Sequence, residues 1–130
     1  MPPRLWQWDG RLHRLVLGQI GLSVEPIPQS SPYTGQTGVA VANVYGPLST
    51  RAAAALQVGA IIQRANGVRV TNPALLALIV ERIPIGHAVR LQGVFNSVPF
   101  NVRVPVRVMN PIDASVYRQI HVVYGTHVYL

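Results

Sequence analysis

The sequence predicts an α+β fold, a small β-sandwich or partly open barrel of about five to six strands with two helices. Three observations support this prediction. Apolar and polar residues alternate in segments such as 89–92 and 100–108, which is the period-two pattern of half-buried strands. Helix-forming residues follow capping residues near positions 49 and 72. Asn66-Gly67 lies between two apolar runs and predicts a tight hairpin turn.

The segment 46–67 has the order turn, alanine-rich helix, glycine turn, buried strand and second glycine turn. Pro47 suits the first turn because its φ is fixed, and either Ser49 or Thr50 can cap the helix. The alanines at 52–55 combine high helix propensity with small side chains. We therefore expect this helix to lie close to a sheet.

A second, longer helix is predicted to begin after Asn72, which is a good N-cap followed by Pro73 in the first turn. Pro84 and Gly86 are its expected stop signals. The helix is apolar around much of its circumference. One face should be buried in its own domain, while the rest faces a groove or a neighbouring subunit.

A hairpin follows this helix, with its turn at Phe95-Asn96-Ser97. Its second strand alternates strictly, with apolar residues at 100, 102, 104, 106 and 108. Pro105 cannot donate a hydrogen bond to a neighbouring strand, so we expect this strand to lie at a sheet edge or to contain a bulge.

The composition is that of one domain with a substantial core and few charges. The chain has 130 residues, of which 49% are hydrophobic and 12% charged. The formal net charge of +7 comes from scattered arginines without a basic run, which disfavours nucleic acid as a partner. No cysteine is present, so disulfides, thiolate metal sites and cysteine nucleophiles are excluded. No apolar run approaches the ~20 residues of a membrane helix, and the N-terminus lacks a secretory signal, which favours an intracellular location.

The sequence offers no catalytic or metal-binding pattern. There is no Gly-x-Ser-x-Gly motif, and the four acidic residues are isolated from one another. His121 and His127 share a segment, but their spacing on a strand is poor for a metal. We therefore expect no catalytic residues, no metal site and no cofactor.

The order of elements resembles a PDZ domain in the permuted arrangement of HtrA-type serine proteases. The resemblance covers about residues 15–109, and divides the chain into an N-terminal arm (1–14), a PDZ-like domain (15–109) and a C-terminal β-like extension (110–130). The segments that carry it are Gly46-Pro47-Leu48, Ala54-Ala55-Leu56, Gly59-Ala60-Ile61-Ile62 and Asn66-Gly67.

One departure from this signature concerns Ala60, which stands where these domains usually have an aspartate. The PDZ domains of the eukaryotic tandem protease–PDZ proteins, the fungal nuclear mediator-of-apoptosis type, are similar in lacking that aspartate. They also carry segments similar to 83–91 and 96–100 of this chain. The sequence therefore most resembles this subtype.

The resemblance implies a non-catalytic interaction domain that binds C-terminal or extended peptides by β-strand addition between a sheet edge and the long helix. The segment 19–22 has the position of the loop whose N–H groups hold the peptide carboxylate, and its glycine permits an anion-binding conformation. A plain turn, and core packing for the apolar residues, are the alternatives. The predicted peptide-binding residues are Gln19, Ile20, Gly21, Leu22, Ser23, Val24, Leu75, Leu78, Ile79 and Arg82.

The expected partners are protein or peptide C-termini. The chain itself ends in Val128-Tyr129-Leu130, an apolar–x–apolar sequence of the class that PDZ grooves accept. This segment could dock in a neighbour's groove, dock in its own groove, or form an extra sheet strand. Either it or the apolar helix could mediate a homo-oligomer or a larger complex.

Two other functions are compatible with the sequence. A degenerate PDZ fold could serve as a structural subunit of a larger assembly without a free peptide ligand, which the low charge and the apolar helix favour. An RNA-binding protein that uses its arginines is a weaker alternative. Such a protein would bind less tightly as salt is added.

Overall fold

The computed structural model describes residues 6–9, 14–108 and 128–130. The elements, in chain order, are β1 (Trp6–Asp9), β2 (Arg14–Gln19), β3 (Leu22–Pro26), β4 (Val39–Val44), α1 (Thr50–Ala55), β5 (Ile61–Ala65), β6 (Val68–Arg69), α2 (Pro73–Glu81), β7 (Ala88–Phe95), β8 (Val98–Pro105), β9 (Arg107–Val108) and β10 (Val128–Tyr129).

The main sheet is open and has the strand order β10-β3-β4-β5-β7-β8, with β6 paired to β5. A smaller sheet has the order β1-β2-β9. Every strand pair in the described residues is antiparallel. Helix α1 packs against β8, and α2 packs against β2, β3 and β10. The predicted α+β, PDZ-like fold is confirmed.

Helix α1 is capped by Ser49, whose Oγ accepts a hydrogen bond from Ala52 N at 3.2 Å. Thr50, the other candidate, is the first residue of the helix. Only Ala52 of this helix is fully buried, so that α1 lies against the sheet through a small side chain.

Replacing Ser49 with alanine should lower the free energy of unfolding by about 1 kcal/mol, because one N–H group in the first turn loses its acceptor. Thr50→Ala is the matched control and should change the stability by less than about 0.5 kcal/mol. Urea denaturation of both variants measures this difference. Equal losses would show that Ser49 is not the cap.

Helix α2 begins as predicted, since Asn72 Oδ1 accepts a hydrogen bond from Leu75 N at 2.9 Å and Pro73 is the first helical residue. It ends at Glu81, with Arg82 as the C-cap, shortly before the expected stop signals. Its buried residues are Leu76, Ala77 and Val80.

Both hairpin turns use positive φ angles. Asn66 and Gly67 have φ of 50° and 80°, and Asn96 and Ser97 have φ of 49° and 65°. The strand that contains Pro105 is β8, which lies at the edge of the main sheet and ends at this proline. This placement explains how a residue without an N–H group is accommodated.

Only parts of the predicted terminal segments can be described. Trp6–Asp9, within the predicted N-terminal arm, forms β1 and pairs with β2. The alternation predicted for Ile120, Val122 and Tyr124, like the two histidines considered above, lies outside the described residues. The domain boundaries stay predictions. Among the described residues, no helix is long and apolar enough to span a membrane.

Candidate peptide-binding groove

The loop between β2 and β3 is built around Gly21. Its φ of +90° lies in a region that other residues rarely adopt. The Gly21 carbonyl oxygen accepts hydrogen bonds from Tyr45 N at 2.9 Å and Gly46 N at 3.1 Å, which ties the loop to the end of β4. A Cβ on Gly21 would lie 2.8 Å from the Gly46 Cα, so the two backbones approach too closely for a side chain.

Val128, Tyr129 and Leu130 form a short segment, the tail. The tail lies beside β3 as an antiparallel strand, with Val128 opposite Val24 and Tyr129 opposite Ser23. Leu130 N donates a hydrogen bond to the Leu22 carbonyl oxygen at 2.7 Å, which extends the pairing to the last residue. The tail therefore occupies an edge position of the main sheet, beside α2.

Three donors converge on the main-chain oxygen of Leu130. They are Gly21 N at 2.9 Å, Leu22 N at 3.3 Å and the Tyr45 hydroxyl at 2.7 Å. The Gly21 loop and the Tyr45 side chain thus present three hydrogen-bond donors to a single main-chain oxygen. Such a set of donors would suit a carboxylate, because hydrogen bonds to an ionised acceptor are roughly twice as strong as those between neutral groups.

The Leu130 side chain lies on the apolar side of the groove and is fully buried. Leu130 belongs to the same buried apolar cluster as Leu22 and Val24 of β3 and as Leu76 and Val80 of α2. Val128, two residues earlier and on the same face, is partly buried against this cluster. Burying one leucine side chain contributes about 1.5–3 kcal/mol, so the apolar contact is substantial.

Arg107 supports the loop from β9, which pairs with β2 through Gln19. Its Nη2 donates a hydrogen bond to the Pro47 carbonyl oxygen at 3.1 Å. The same nitrogen lies so close to Gly46 that a Cβ there would be 3.0 Å away. A guanidinium is therefore fixed next to the Gly21–Gly46 contact, where its positive charge favours an anion.

The structure brings the predicted loop and strand residues together. Gly21 and Leu22 each supply one of the three donors. Apart from Gly21, which has no side chain, the side chains of these residues are all buried. The buried residues are Gln19, Ile20, Leu22, Ser23 and Val24. Their role in binding a peptide stays a prediction.

The predicted helix residues are placed differently. Leu75 and Ile79 are half-buried, Arg82 is exposed, and Leu78 has 41% of its surface exposed. The face that α2 buries in the core consists of Leu76, Ala77 and Val80. A role for Leu75, Leu78, Ile79 and Arg82 in lining a peptide groove stays a prediction.

Tyr45 and Gly46 were not among the predicted residues. The signal that could have found them is strand pairing. Since β3 and β4 are antiparallel and Leu22 lies opposite Val44, the residues that follow β4 must meet the loop that precedes β3. The described part of the chain contains no group of three or more His, Cys, Asp or Glu side chains that could hold a metal ion.

Replacing Tyr45 with phenylalanine removes the hydroxyl that contacts Leu130 and keeps the aromatic ring in place. A hydrogen bond contributes about 0.5–1.5 kcal/mol net, so the free energy of unfolding should fall by roughly this amount. The same substitution in a chain that ends at residue 127 should cost much less, because the acceptor is absent. Urea denaturation of the four proteins gives this coupling energy.

Tyr33→Phe is the control for that experiment. The Tyr33 hydroxyl accepts a hydrogen bond from Ser97 N at 2.8 Å, away from the groove. Tyr33→Phe should lower the free energy of unfolding by the same amount with and without the tail. If Tyr45→Phe also lowers the free energy of unfolding by the same amount in both chain lengths, the Tyr45 hydroxyl does not stabilise the docked tail.

No family model matches the sequence, and no curated protein matches it either. The structure is similar to that of the HtrA-type protease AlgW with a decapeptide, with a TM-score of 0.61 and 21% identity, over 74% of this chain and 30% of the protease chain. It is also similar to AlgW with a tripeptide, with a TM-score of 0.61 and 22% identity, over 74% of this chain and 33% of the other. The chain thus corresponds to about a third of the protease's length. The likeness shows that the fold is an HtrA-like PDZ fold.

Proposed function

We propose that this chain is a non-catalytic PDZ-type domain that binds the C-terminal ends of peptides by strand addition along β3. The observation that carries the proposal is the tail, which pairs with β3 and places the Leu130 oxygen against Gly21 N, Leu22 N and the Tyr45 hydroxyl. The AlgW structures were obtained with a decapeptide and a tripeptide, which supports peptides as the ligand class.

The proposed binding mode combines two kinds of contact. Main-chain bonds to β3 hold the ligand as a strand irrespective of its sequence, and the donors of the Gly21 loop select a free carboxylate. The buried site of Leu130 selects an apolar last residue, and the partly buried site of Val128 favours an apolar residue two positions earlier. Such a ligand should bind with an affinity near micromolar, roughly −8 kcal/mol.

Fluorescence anisotropy with a chain that ends at residue 127 tests this function. The probe is a labelled peptide with the sequence of residues 123–130 and a free carboxylate. We expect saturable binding at about micromolar concentration, and binding at least about tenfold weaker for the same peptide as a C-terminal amide. Tyr45→Phe should weaken binding, whereas Tyr33→Phe should not. Absence of saturable binding by a folded protein would refute the proposal.

The wider assignment is a regulatory domain or a relative of an HtrA-type protease, because the fold covers about a third of such a protease. The eukaryotic tandem protease–PDZ subtype is supported by Ala60 and by the segments 83–91 and 96–100. Ala60 is fully buried in the apolar cluster, where an unpaired carboxylate would be strongly desolvated. An apolar residue therefore suits this position.

A second candidate function is a structural subunit whose groove is permanently filled. The observation that favours it is the same tail, which leaves no open position beside β3 in the described structure. In that case no peptide from a C-terminal library should bind the 130-residue chain, even at concentrations far above micromolar. Binding that saturates and depends on the peptide carboxylate would exclude this candidate.

A further inference from the structure

We propose that the tail is a tethered competitor that holds the groove in an autoinhibited state, so that an external peptide binds only when it displaces Val128, Tyr129 and Leu130. This proposal rests on the proposed function, because it concerns the regulation of the same site. The occupant of the groove in this state is a segment of the chain itself.

The tail and an external ligand exclude each other because they need the same groups. The N–H and carbonyl groups of Leu22 are both bonded to Leu130, and the N–H of Gly21 is bonded to the same residue. In the sheet, β3 lies between β4 and the tail, so neither side of β3 is left for another strand there. A peptide that enters by strand addition must therefore break these bonds.

The contact has the features of a specific docked state. The Leu130 side chain is completely buried, and the main-chain oxygen of the same residue accepts three hydrogen bonds. Tyr45, which directly follows β4, supplies one of them, and β4 pairs with β3 on the side opposite to the tail. An extra strand that only covered the sheet edge would not require one main-chain oxygen to accept three hydrogen bonds.

Tethering gives the tail a concentration advantage. A ligand joined to its site by a short linker has an effective concentration on the order of mM. If the tail binds with an intrinsic dissociation constant of roughly 100 μM or below, the site is free for less than about a tenth of the time. The apparent affinity for an external peptide then falls by at least about tenfold.

The experiment compares four chains with the same labelled peptide, the free-carboxylate copy of residues 123–130. Three of them are the 130-residue chain, the chain that ends at residue 127, and the 130-residue chain with Leu130→Asp, which keeps the length but places a charge in the apolar site. A fourth chain, with two glycines added after Leu130, keeps the leucine and removes its terminal carboxylate. Circular dichroism identifies which variants are folded.

We expect every folded variant with an altered tail to bind the peptide at least about tenfold more tightly than the 130-residue chain. Equal affinities would overturn the autoinhibition while leaving the proposed function intact. If no chain binds, the proposed function itself fails, and the autoinhibition fails with it. The remaining alternative is that the tail docks into the groove of a second copy of the chain, and light scattering tests it. A dimer that disappears when the tail is removed would overturn the proposal that the tail occupies the groove of its own chain.

Discussion

Replacing Gly21 with alanine is expected to abolish binding in the groove, with a loss of peptide affinity of about 100-fold or more. Two effects add. A non-glycine residue at a φ of +90° is strained, and its Cβ would lie 2.8 Å from the Gly46 Cα. Relief of this clash must move the loop away from the end of β4, which separates Gly21 N from the Tyr45 hydroxyl. Anisotropy with the chain that ends at residue 127 measures the loss.

Gly35→Ala is a matched control for this substitution. Gly35 has the same φ of +90°, but nothing lies within 4 Å of the position of its Cβ. We expect Gly35→Ala to reduce stability by about 1–2 kcal/mol through backbone strain and to leave peptide affinity unchanged. If Gly21→Ala binds peptide as well as Gly35→Ala does, the close contact with Gly46 does not shape the site.

Replacing Gly93 with alanine is expected to cause the largest loss of stability, about 4 kcal/mol, which is a large fraction of the ~5–15 kcal/mol that stabilises a typical domain. Gly93 lies in β7, opposite Ile62 of β5, where the register between the two strands shifts. A Cβ there would overlap the carbonyl oxygen of Ile61, and the Phe100 ring would be only 2.8 Å away. The central strands would have to separate, and urea denaturation measures the cost.

Gly67→Ala is the control for Gly93→Ala. Gly67 has a φ of +80° in a hairpin turn, but nothing lies within 4 Å of the position of its Cβ. This variant should lose about 1–2 kcal/mol from strain alone. A loss for Gly93→Ala no greater than that for Gly67→Ala would mean that β5 and β7 are not packed as closely as described.

Much of the fold could be predicted from the sequence because its determinants are local. The cap Asn72, the turn Asn66-Gly67 and the period-two strand that became β8 each depend on residues a few positions apart. The choice between Ser49 and Thr50 was different. Both residues can cap a helix, and only the backbone geometry decides which one precedes the first helical residue.

The site was less predictable because its parts come together through long-range contacts. Helix α2 carries apolar residues on several faces, so its sequence does not define which face is buried. Packing against β2, β3 and β10 makes Leu76 and Val80 the buried residues and leaves Leu78 exposed. Tyr45 reaches Leu130 across a separation of 85 residues, which no local pattern encodes.

The central claim, that the tail fills its own peptide groove, is tested most directly by amide hydrogen exchange at Gly21 and Leu22. Both amides donate to the Leu130 oxygen. In the 130-residue chain both should exchange slowly, at a rate independent of protein concentration. In the chain that ends at residue 127 both should exchange much faster, and adding the peptide of residues 123–130 should restore their protection. Equal exchange rates with and without the tail would contradict the claim.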